Sequence, residues 1–227
     1  MNAVIIGGSH GIGAALVDKL KAKGFFVHSF SRTEDQVADQ WTSYDVMSDE
    51  FPVEALPESI DAFAYCPGSI DLKPFHRIKI EQFQNEMELN FFGAIKSTQA
   101  CIPGLKAAKG AAIYFSTVAV SQGMPFHSSI ASSKGAIEGL VRSLAAEYAP
   151  DLRFNAIAPS LTDTPLAERL LANDAKREAS ASRHPLKRVG TADDLANMAS
   201  VLLSDESSWV SGQIIGVDGG MSSIRSL

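Results

Sequence analysis

The sequence predicts a single α/β domain, doubly wound around a seven-stranded parallel sheet. Near the start, the apolar residues 3–6 are followed at once by glycines and then by a helical pattern. Short apolar runs alternate with helical patterns along the rest of the chain. The 227 residues are 45% hydrophobic, which is enough for one full-sized core, and no linker divides them. Such alternation is typical of a parallel sheet that binds ligands at the carboxyl ends of its strands.

The glycine-rich loop after the first strand predicts an anion site. Residues 7–13 read GGSHGIG, and apolar residues then recur at helical spacing until Gly24 ends the helix. Glycines allow a diphosphate to approach the backbone N–H groups at the helix N-terminus, where unpaired donors and the helix dipole favour anions. The spacing is not G-x-G-x-x-G, and the Gly-Lys-Ser/Thr ending of a P-loop is absent. By itself, therefore, the loop also fits a merely tight turn.

The second strand, residues 25–30, ends in Ser31 and Arg32 rather than in an acid. A helix joins it to the first strand, so the two strands should be parallel. In dinucleotide folds this strand end faces the adenosine ribose, and an acid there would bind the free 2′-hydroxyl of NAD. A hydroxyl, a guanidinium and the nearby His10 suit a 2′-phosphate instead. We therefore expect NADP(H) rather than NAD(H); the alternative is that Arg32 is only a solvated charge.

Five more strands and their helices complete the predicted fold. Asn90 interrupts the apolar face of a long helical pattern, and a buried amide there is either a hydrogen-bond hub or part of a site. Residues 164–184 are predicted to form a helical, mobile flap, and Thr191 to cap the next helix. The remaining strand candidates are residues 41–44, 62–66, 111–115, 153–158 and 213–217, and the helical patterns cover residues 80–106 and 129–148.

Charge and composition exclude several classes of partner. A net charge of −6 makes nucleic acid and anionic membranes poor general partners. No apolar run approaches the roughly 20 residues of a membrane span, and no signal segment precedes the first strand, so we expect a cytoplasmic protein. Cys66 and Cys101 have neither metal-ligand spacing nor histidine companions. We expect two buried free thiols and no metal site.

With these motifs in place, the chain resembles the short-chain dehydrogenase/reductase family of the small, single-domain type over residues 1–227. From its first glycine onward, the family's T-G-x-x-x-G-x-G loop matches residues 7–13. Its Asn-Asn-Ala-Gly strand end appears as residues 65–68, of which only Gly68 is kept. Its C-terminal signature appears in residues 211–220. The resemblance implies a Rossmann-like fold, a small carbonyl or alcohol substrate, and a homodimer or homotetramer.

The resemblance also assigns residues to the cofactor. Asp45 and Val46 match the family's adenine-contacting pair. Asn90 matches the family's helix asparagine, and Lys134 matches its lysine. Ser160 replaces the glycine of the loop that holds the nicotinamide. The expected cofactor contacts are Gly7, Ser9, His10, Gly11, Ile12, Ser31, Arg32, Asp45, Val46, Cys66, Gly68, Asn90, Lys134, Pro159, Ser160, Thr162 and Thr164.

The resemblance fails at the family's proton donor, a tyrosine four residues before the lysine. Ile130 stands there, while Thr117 replaces the family's serine and keeps a hydroxyl donor. A positioned acid or base contributes roughly 10² to 10⁴ in rate, whereas orienting the reactants can supply roughly 7 to 11 kcal/mol. Loss of the phenol therefore weakens the usual mechanism without closing every route.

Three interpretations stay open. The first is an NADP(H)-dependent reductase with a rearranged proton relay through Thr117, Lys134, ribose and water, or through His127. His127 would share a helix face with Ile130 and Lys134 if that helix begins early enough; otherwise it is a loop histidine near the mouth of the site. The second is a weak or inactive NADP(H)-binding sensor or structural partner, and the third is an enzyme with other chemistry in this pocket. The candidate catalytic residues are Asn90, Thr117, His127 and Lys134.

Overall fold

The computed structural model describes residues 1–225 and is built around a central parallel sheet. Every neighbouring pair of strands in the sheet is parallel. The predicted seven-stranded, doubly wound α/β fold is confirmed. In chain order the strands of this sheet are β1 (Asn2–Ile6), β2 (Phe26–Ser31), β3 (Gln40–Ser43), β4 (Ala62–Tyr65), β5 (Ala111–Phe115), β6 (Arg153–Pro159) and β9 (Ile214–Val217).

The strand order of the sheet is β3-β2-β1-β4-β5-β6-β9. The chain first builds outward from β1 to β3 and then returns to build the other half from β4. The carboxyl ends of β1 and β4 therefore flank the point at which the winding reverses, and open α/β sheets bind ligands at that point. Two short strands, β7 (Thr162–Asp163) and β8 (Gly190–Thr191), pair separately beside it.

Helices cover both faces of the sheet because alternate strand residues point to opposite sides. The helices are α1 (Gly11–Ala22), α2 (Ile80–Met87), α3 (Gly93–Ala108), α4 (Ala119–Gln122), α5 (Ser128–Tyr148), α6 (Asp174–Arg183) and α7 (Ala192–Leu202). On one face of the sheet, Val4 and Ile6 pack in a core with α3 and α5. On the other face, Ala3 and Ile5 pack with α1 and α7.

The long helical pattern over residues 80–106 is not one regular helix. A π-helical turn, Glu88–Phe92, separates α2 from α3, and Asn90 lies buried within it. A π-turn inserts one extra residue into the helix and is frequent at functional sites. The periodicity is otherwise helical on both sides, which is why the interruption could not be predicted from spacing.

The second half of the chain follows the predictions closely. The segment after β7 contains a 3-10 turn, Pro165–Leu170, followed by α6. Thr191 caps α7, and its Oγ1 accepts a hydrogen bond from the backbone N–H of Asp194 at 3.2 Å. In the first half of the chain, Cys66 and Cys101 are both free; Cys101 is buried as predicted, whereas Cys66 is only half-buried. Over residues 1–225, the helices include none long and apolar enough to cross a membrane.

Candidate active site

A cleft of about 570 Å³ opens at the carboxyl ends of β1, β2 and β4, where the strand order reverses. It brings together residues that are far apart in sequence, from the glycine loop to the segment after β7. Asn90, Lys134, Pro159, Ser160 and Thr162 do not form its wall. The predicted cofactor residues that do are Gly7, Ser9, His10, Gly11, Ile12, Ser31, Arg32, Asp45, Val46, Cys66, Gly68 and Thr164.

The glycine loop forms a close-packed cradle at the start of α1. A Cβ on Gly13 would overlap the carbonyl oxygen of Gly7, so the helix can approach the loop only because residue 13 has no side chain. Gly7 and Gly11 have φ angles of +78° and +56°, which favour glycine. The first turn of α1 contains no acid. The residues of this first turn line the cleft. The free N–H groups and the positive dipole end of α1 therefore suit a diphosphate there.

The end of β2 presents Arg32 rather than Ser31. The Ser31 hydroxyl donates to the backbone oxygen of Thr33 at 2.7 Å and accepts from Trp41 Nε1 at 3.1 Å. It therefore has no proton left to give a ligand in this arrangement. Arg32 is exposed and lines the cleft. Its guanidinium is the positive group at this end of the site.

Gly68 separates the cleft from two buried polar side chains. A Cβ on Gly68 would lie 3.6 Å from Asn90 Oδ1 and 3.6 Å from Lys134 Nζ. The side chain of Asn90 is fully buried and Lys134 is only 6% exposed. Within residues 1–225, Asn90 Oδ1 has no hydrogen-bond partner. An unpaired buried oxygen beside an ammonium group suits a ligand hydroxyl or water at this position.

Glu86 is a member of this group that the sequence analysis missed. It lies on α2, one turn before Asn90, is 6% exposed, and lines the cleft. Its Oε2 accepts hydrogen bonds from Ser69 Oγ at 2.5 Å and from Asn90 Nδ2 at 2.8 Å. The sequence contains one feature that could have pointed to Glu86: it is an acid four residues before Asn90, on the same apolar helix face.

The electrostatics of the site centre on Lys134. Burial lowers its pKa from the ordinary 10.5 to about 8, and the Glu86 carboxylate opposes that shift. Burial raises the pKa of the Cys66 thiol to about 12, against the effect of Lys134. At neutral pH the thiol is therefore protonated, and Lys134 is a cation whose pKa lies close to the working range of an acid catalyst.

The side chains at the expected proton-transfer positions are an aliphatic group, a hydroxyl and an imidazole that contacts its own loop. Ile130 is buried on α5. Thr117 is half-buried, and its Oγ1 accepts a hydrogen bond from the N–H of Ala119 at 3.3 Å. The helix begins at Ser128, so His127 precedes it as the N-cap residue. The ring Nδ1 of His127 lies 2.7 Å from the backbone oxygen of Pro125, which holds the ring to its own loop.

The loop after β6 is fixed by a histidine that sequence analysis did not single out. Ser160 Oγ lies 2.7 Å from His184 Nε2 and donates to the backbone oxygen of Asp218 at 3.3 Å. His184 is 2% exposed, and its Nδ1 lies 2.9 Å from the backbone oxygen of Ser180. The Ser160 hydroxyl therefore joins the end of α6 to the segment after β9.

The family model described as enoyl-(acyl carrier protein) reductase matches residues 7–222. The chain belongs to the short-chain dehydrogenase/reductase family. A tropinone reductase homologue from Arabidopsis thaliana is 32% identical over 242 residues, covering 97% of this chain and 92% of the relative. The 3-oxoacyl-[acyl-carrier-protein] reductase of Thermotoga maritima is 36% identical over 147 residues, covering 64% of this chain and 59% of the relative.

Solved short-chain dehydrogenase/reductase structures share the whole fold. The ligand-free aldohexose dehydrogenase of Thermoplasma acidophilum superposes with a TM-score of 0.91 at 26% identity, covering 100% of this chain and 95% of that one. ElxO with NADP bound superposes with a TM-score of 0.90, covering 98% and 99%. Its identity is 21%, so this second likeness shows the fold alone.

The chain brings Asn90, Lys134 and Gly68 to one place, and it has the aliphatic Ile130 at the position where the sequence resemblance predicts a tyrosine. Over the described residues, 1–225, no group of three or more His, Cys, Asp or Glu side chains is placed to hold a metal ion. The polar groups near Gly68 that can hold or move a proton are the hydroxyl of Ser69, the carboxylate of Glu86 and the ammonium of Lys134. The site is thus a cleft at the carboxyl edge of the sheet, with the carboxylate of Glu86 in its wall and the ammonium of Lys134 near Gly68.

Proposed function

We propose that this short-chain dehydrogenase/reductase is an NADP(H)-dependent oxidoreductase that transfers a hydride to or from a small carbonyl or alcohol. The observation that carries the proposal is the continuous cleft. It leads from Arg32, past the N–H groups of the first turn of α1, to Gly68, behind which lie Asn90 and Lys134. A phosphate-binding group, a diphosphate cradle and a polar ribose site follow one another in the order in which a dinucleotide needs them.

The residues present fit the cofactor. Gly7 to Gly13 would hold the diphosphate, and Arg32 the 2′-phosphate, with His10 beside it. Asp45 and Val46 line the cleft where the adenine would lie, and Thr164 closes it from the other side. We assign Pro159, Ser160 and Thr162 to the nicotinamide end by resemblance, although they stand behind the cleft wall. The bound cofactor supplies the hydride; the protein supplies position and a proton.

The proposed reaction also needs a side chain that supplies a proton. Thr117 and His127 were both candidates, but the Thr117 hydroxyl lies beside the N–H of Ala119 and the His127 ring is held to its own loop. Lys134 is the buried cation next to the ribose site. We therefore assign Lys134 to the relay, with Asn90 orienting its surroundings, and keep Thr117 for orienting the substrate oxygen.

The experiment that tests the proposal measures binding and turnover in turn. Calorimetry gives the affinity of the purified protein for NADPH and NADH. Nicotinamide absorbance then follows oxidation of NADPH with a panel of aldehydes, ketones and enones. NADPH binding stronger than NADH binding, with oxidation by at least one carbonyl compound, is the expected result. Failure to bind either nucleotide would overturn the proposal.

A second function is favoured by one observation, the aliphatic Ile130. A protein that binds NADPH but oxidises it with no carbonyl compound would be a cofactor-binding sensor or a structural partner of another protein. The same absorbance experiment separates the two functions, since the second predicts tight binding and a flat trace.

The assembly and location are proposed from the family resemblance. We propose a homodimer or homotetramer in the cytoplasm, acting on small molecules rather than on nucleic acid or membranes. The net charge of −6 is consistent with the absence of a general affinity for polyanions. Light scattering on the purified protein gives the oligomeric state, and a monomer would contradict this part of the proposal.

A further inference from the structure

One acid in the active-site wall is not among the proposed cofactor contacts. Glu86 lies on α2, is 6% exposed and lines the cleft, yet none of the cofactor contacts proposed above requires it. Burying a carboxylate is unfavourable unless other groups compensate its charge and its lone pairs. The groups around Glu86 therefore indicate what it does. The following inference rests on the proposed reductase function and deepens it.

Glu86 is held rigidly by two neighbours. Its Oε2 accepts from Ser69 Oγ at 2.5 Å and from Asn90 Nδ2 at 2.8 Å. The Asn90 amide also donates to the backbone oxygen of Glu86 at 2.9 Å. Two donors converging on one oxygen is the arrangement that an ionised carboxylate accepts. The geometry thus holds a negative charge in a fixed place.

Asn90 connects this charge to Lys134. Its Nδ2 is used by Glu86, while its Oδ1 points to the region of Gly68 that Lys134 Nζ also reaches. Within residues 1–225 that oxygen is buried and unpaired. The amide therefore presents its donor side to the carboxylate and its acceptor side to the ammonium region, as a bridge between opposite charges would.

We propose that Lys134 is the proton donor of this site and that Glu86 is the counter-ion that keeps it charged. With the hydride supplied to the carbonyl carbon by bound NADPH, the carbonyl oxygen would accept a proton relayed from Lys134 Nζ through water, since Lys134 does not form the cleft wall. The neutral amine then regains a proton from water in the cleft. Glu86 touches neither substrate nor cofactor in this scheme, so it is a positioning residue.

The charges around Lys134 support this assignment. Two titratable groups act on it, Glu86 from α2 and Cys66 from the end of β4. The thiol is neutral because burial raises its pKa to about 12. Glu138 lies on α5, one turn after Lys134. Its carboxylate accepts a hydrogen bond from Ser116 Oγ at 2.7 Å and forms a salt bridge with Arg142 at 3.4 Å. Glu86 is therefore the anion that stabilises the ammonium form against burial.

The test compares Glu86→Gln with Glu81→Gln, which makes the same chemical change at an exposed position of the same helix. The rate of NADPH oxidation is followed from about pH 6 to about pH 9, because the rate of an acid-catalysed step falls as the acid loses its proton. In the wild type, kcat should fall above about pH 8. In Glu86→Gln that fall should move to lower pH by about one unit or more, because a neighbouring anion is lost.

For a shift of about one unit, the variant should therefore lose about fivefold in kcat near pH 8 and about tenfold near pH 9, and approach the wild type at the acid end of the range. Glu81→Gln should keep the wild-type profile. A uniform loss at every pH, as misfolding or poor packing would cause, contradicts the counter-ion role. A Glu86→Gln profile identical to that of the wild type overturns it as well.

A second measurement needs no cofactor and no turnover. The rate at which an acylating reagent labels Lys134 in the free protein reports the fraction of neutral amine at each pH, with exposed Lys109 as the internal reference. The midpoint for Lys134 should move to lower pH in Glu86→Gln. If Glu86→Gln does not fold, Ser69→Ala decides: loss of one donor on Oε2 should change the labelling midpoint of Lys134, and an unchanged midpoint overturns the proposal.

Different results would contradict the reductase function and the counter-ion role of Glu86. A wild type that oxidises NADPH with a carbonyl compound, while Glu86→Gln keeps its pH profile, overturns the counter-ion alone. A wild type that binds NADPH and turns over nothing overturns the reductase and the donor role of Lys134, whatever the labelling shows. The pairing of charges is supported in that case only if the labelling midpoint still moves.

Discussion

Ile130 fills the place of the family's tyrosine with a side chain that neither gives nor accepts a proton. Four residues on, Lys134 is buried and its pKa is lowered to about 8. In the family pattern, a lysine assists the phenol. Here the lysine is itself the group whose protonation changes near working pH, and the carboxylate of Glu86 is close enough to influence it. We therefore propose that the chemistry of the site is carried by Lys134 together with Glu86, a pair that the family pattern does not require.

Replacement of Ile130 by tyrosine should restore the family's proton donor. We expect Ile130→Tyr to raise kcat for carbonyl reduction by about 10² or more, the lower part of the range for a positioned acid. Ile130→Phe is the matched control, because it adds nearly the same bulk to a buried position without the hydroxyl. Steady-state kinetics with NADPH measures both. Equal rates for the two variants would show that a phenol here does not reach the substrate.

Replacement of Arg32 by alanine should weaken NADPH binding selectively. A hydrogen bond to a charged group contributes about 1.5 to 3 kcal/mol, so we expect roughly a tenfold or greater loss of affinity for NADPH. Affinity for NADH, which has no 2′-phosphate, should change little. Calorimetry with both nucleotides measures this, and Arg77→Ala, at an exposed position off the cleft wall, is the control. An equal loss for both nucleotides would contradict the assignment.

At the scale of elements, the strands were predicted well because buried parallel strands are continuous apolar runs. Residues 3–6 and 111–115 illustrate this, since both lie within observed strands. The π-turn Glu88–Phe92 and the contact of Ser160 with His184 were not predicted. A single extra residue leaves no periodic signal, and the second depends on side chains brought together by tertiary structure.

The loop before α5 contains one residue with a strained backbone conformation. Phe126 has a φ angle of +70°, a left-handed conformation that bulky residues rarely adopt, and its side chain is 55% exposed. Phe126→Gly should therefore raise the free energy of unfolding by about 1 kcal/mol. Urea denaturation checks the value. The control is Phe75→Gly, another exposed phenylalanine that is not among the positive-φ residues and should lose stability. Destabilisation by both variants would mean that Phe126 is held by packing.

At the scale of the whole molecule, the order β3-β2-β1-β4-β5-β6-β9 decides where every functional group lies. The glycine loop, the end of β2 and Gly68 meet because their strands end at one edge. The sequence predicted this edge, since alternating strands and helices leave few topologies. It could not predict Glu86, because an acid on an apolar helix face also fits a solvated surface until the packing of α2 against α5 is known.

The buried Lys134 should make stability depend on pH. Its pKa is lowered from 10.5 to about 8 by burial, so between these values the unfolded chain binds more protons than the folded one. The contribution of Lys134 to the free energy of unfolding should then rise with pH across this window, by about 3 kcal/mol at most. Lys134→Met should remove that rise, whereas exposed Lys79→Met should keep it. Urea titrations near both ends of the window measure the difference. An unchanged slope in Lys134→Met would contradict the charged, buried lysine.

The π-turn fixes which face of α2 meets the active site. Because the turn absorbs one extra residue, forcing regular α-helical hydrogen bonds through Glu88–Phe92 without a deletion would rotate α2 by about 100° relative to α3. Every side chain of α2 would survive, but Glu86 would turn away from Ser69, and the ammonium of Lys134 would lose the anion that we propose for it. Removing one residue of the turn at the same time would return α2 to its original facing.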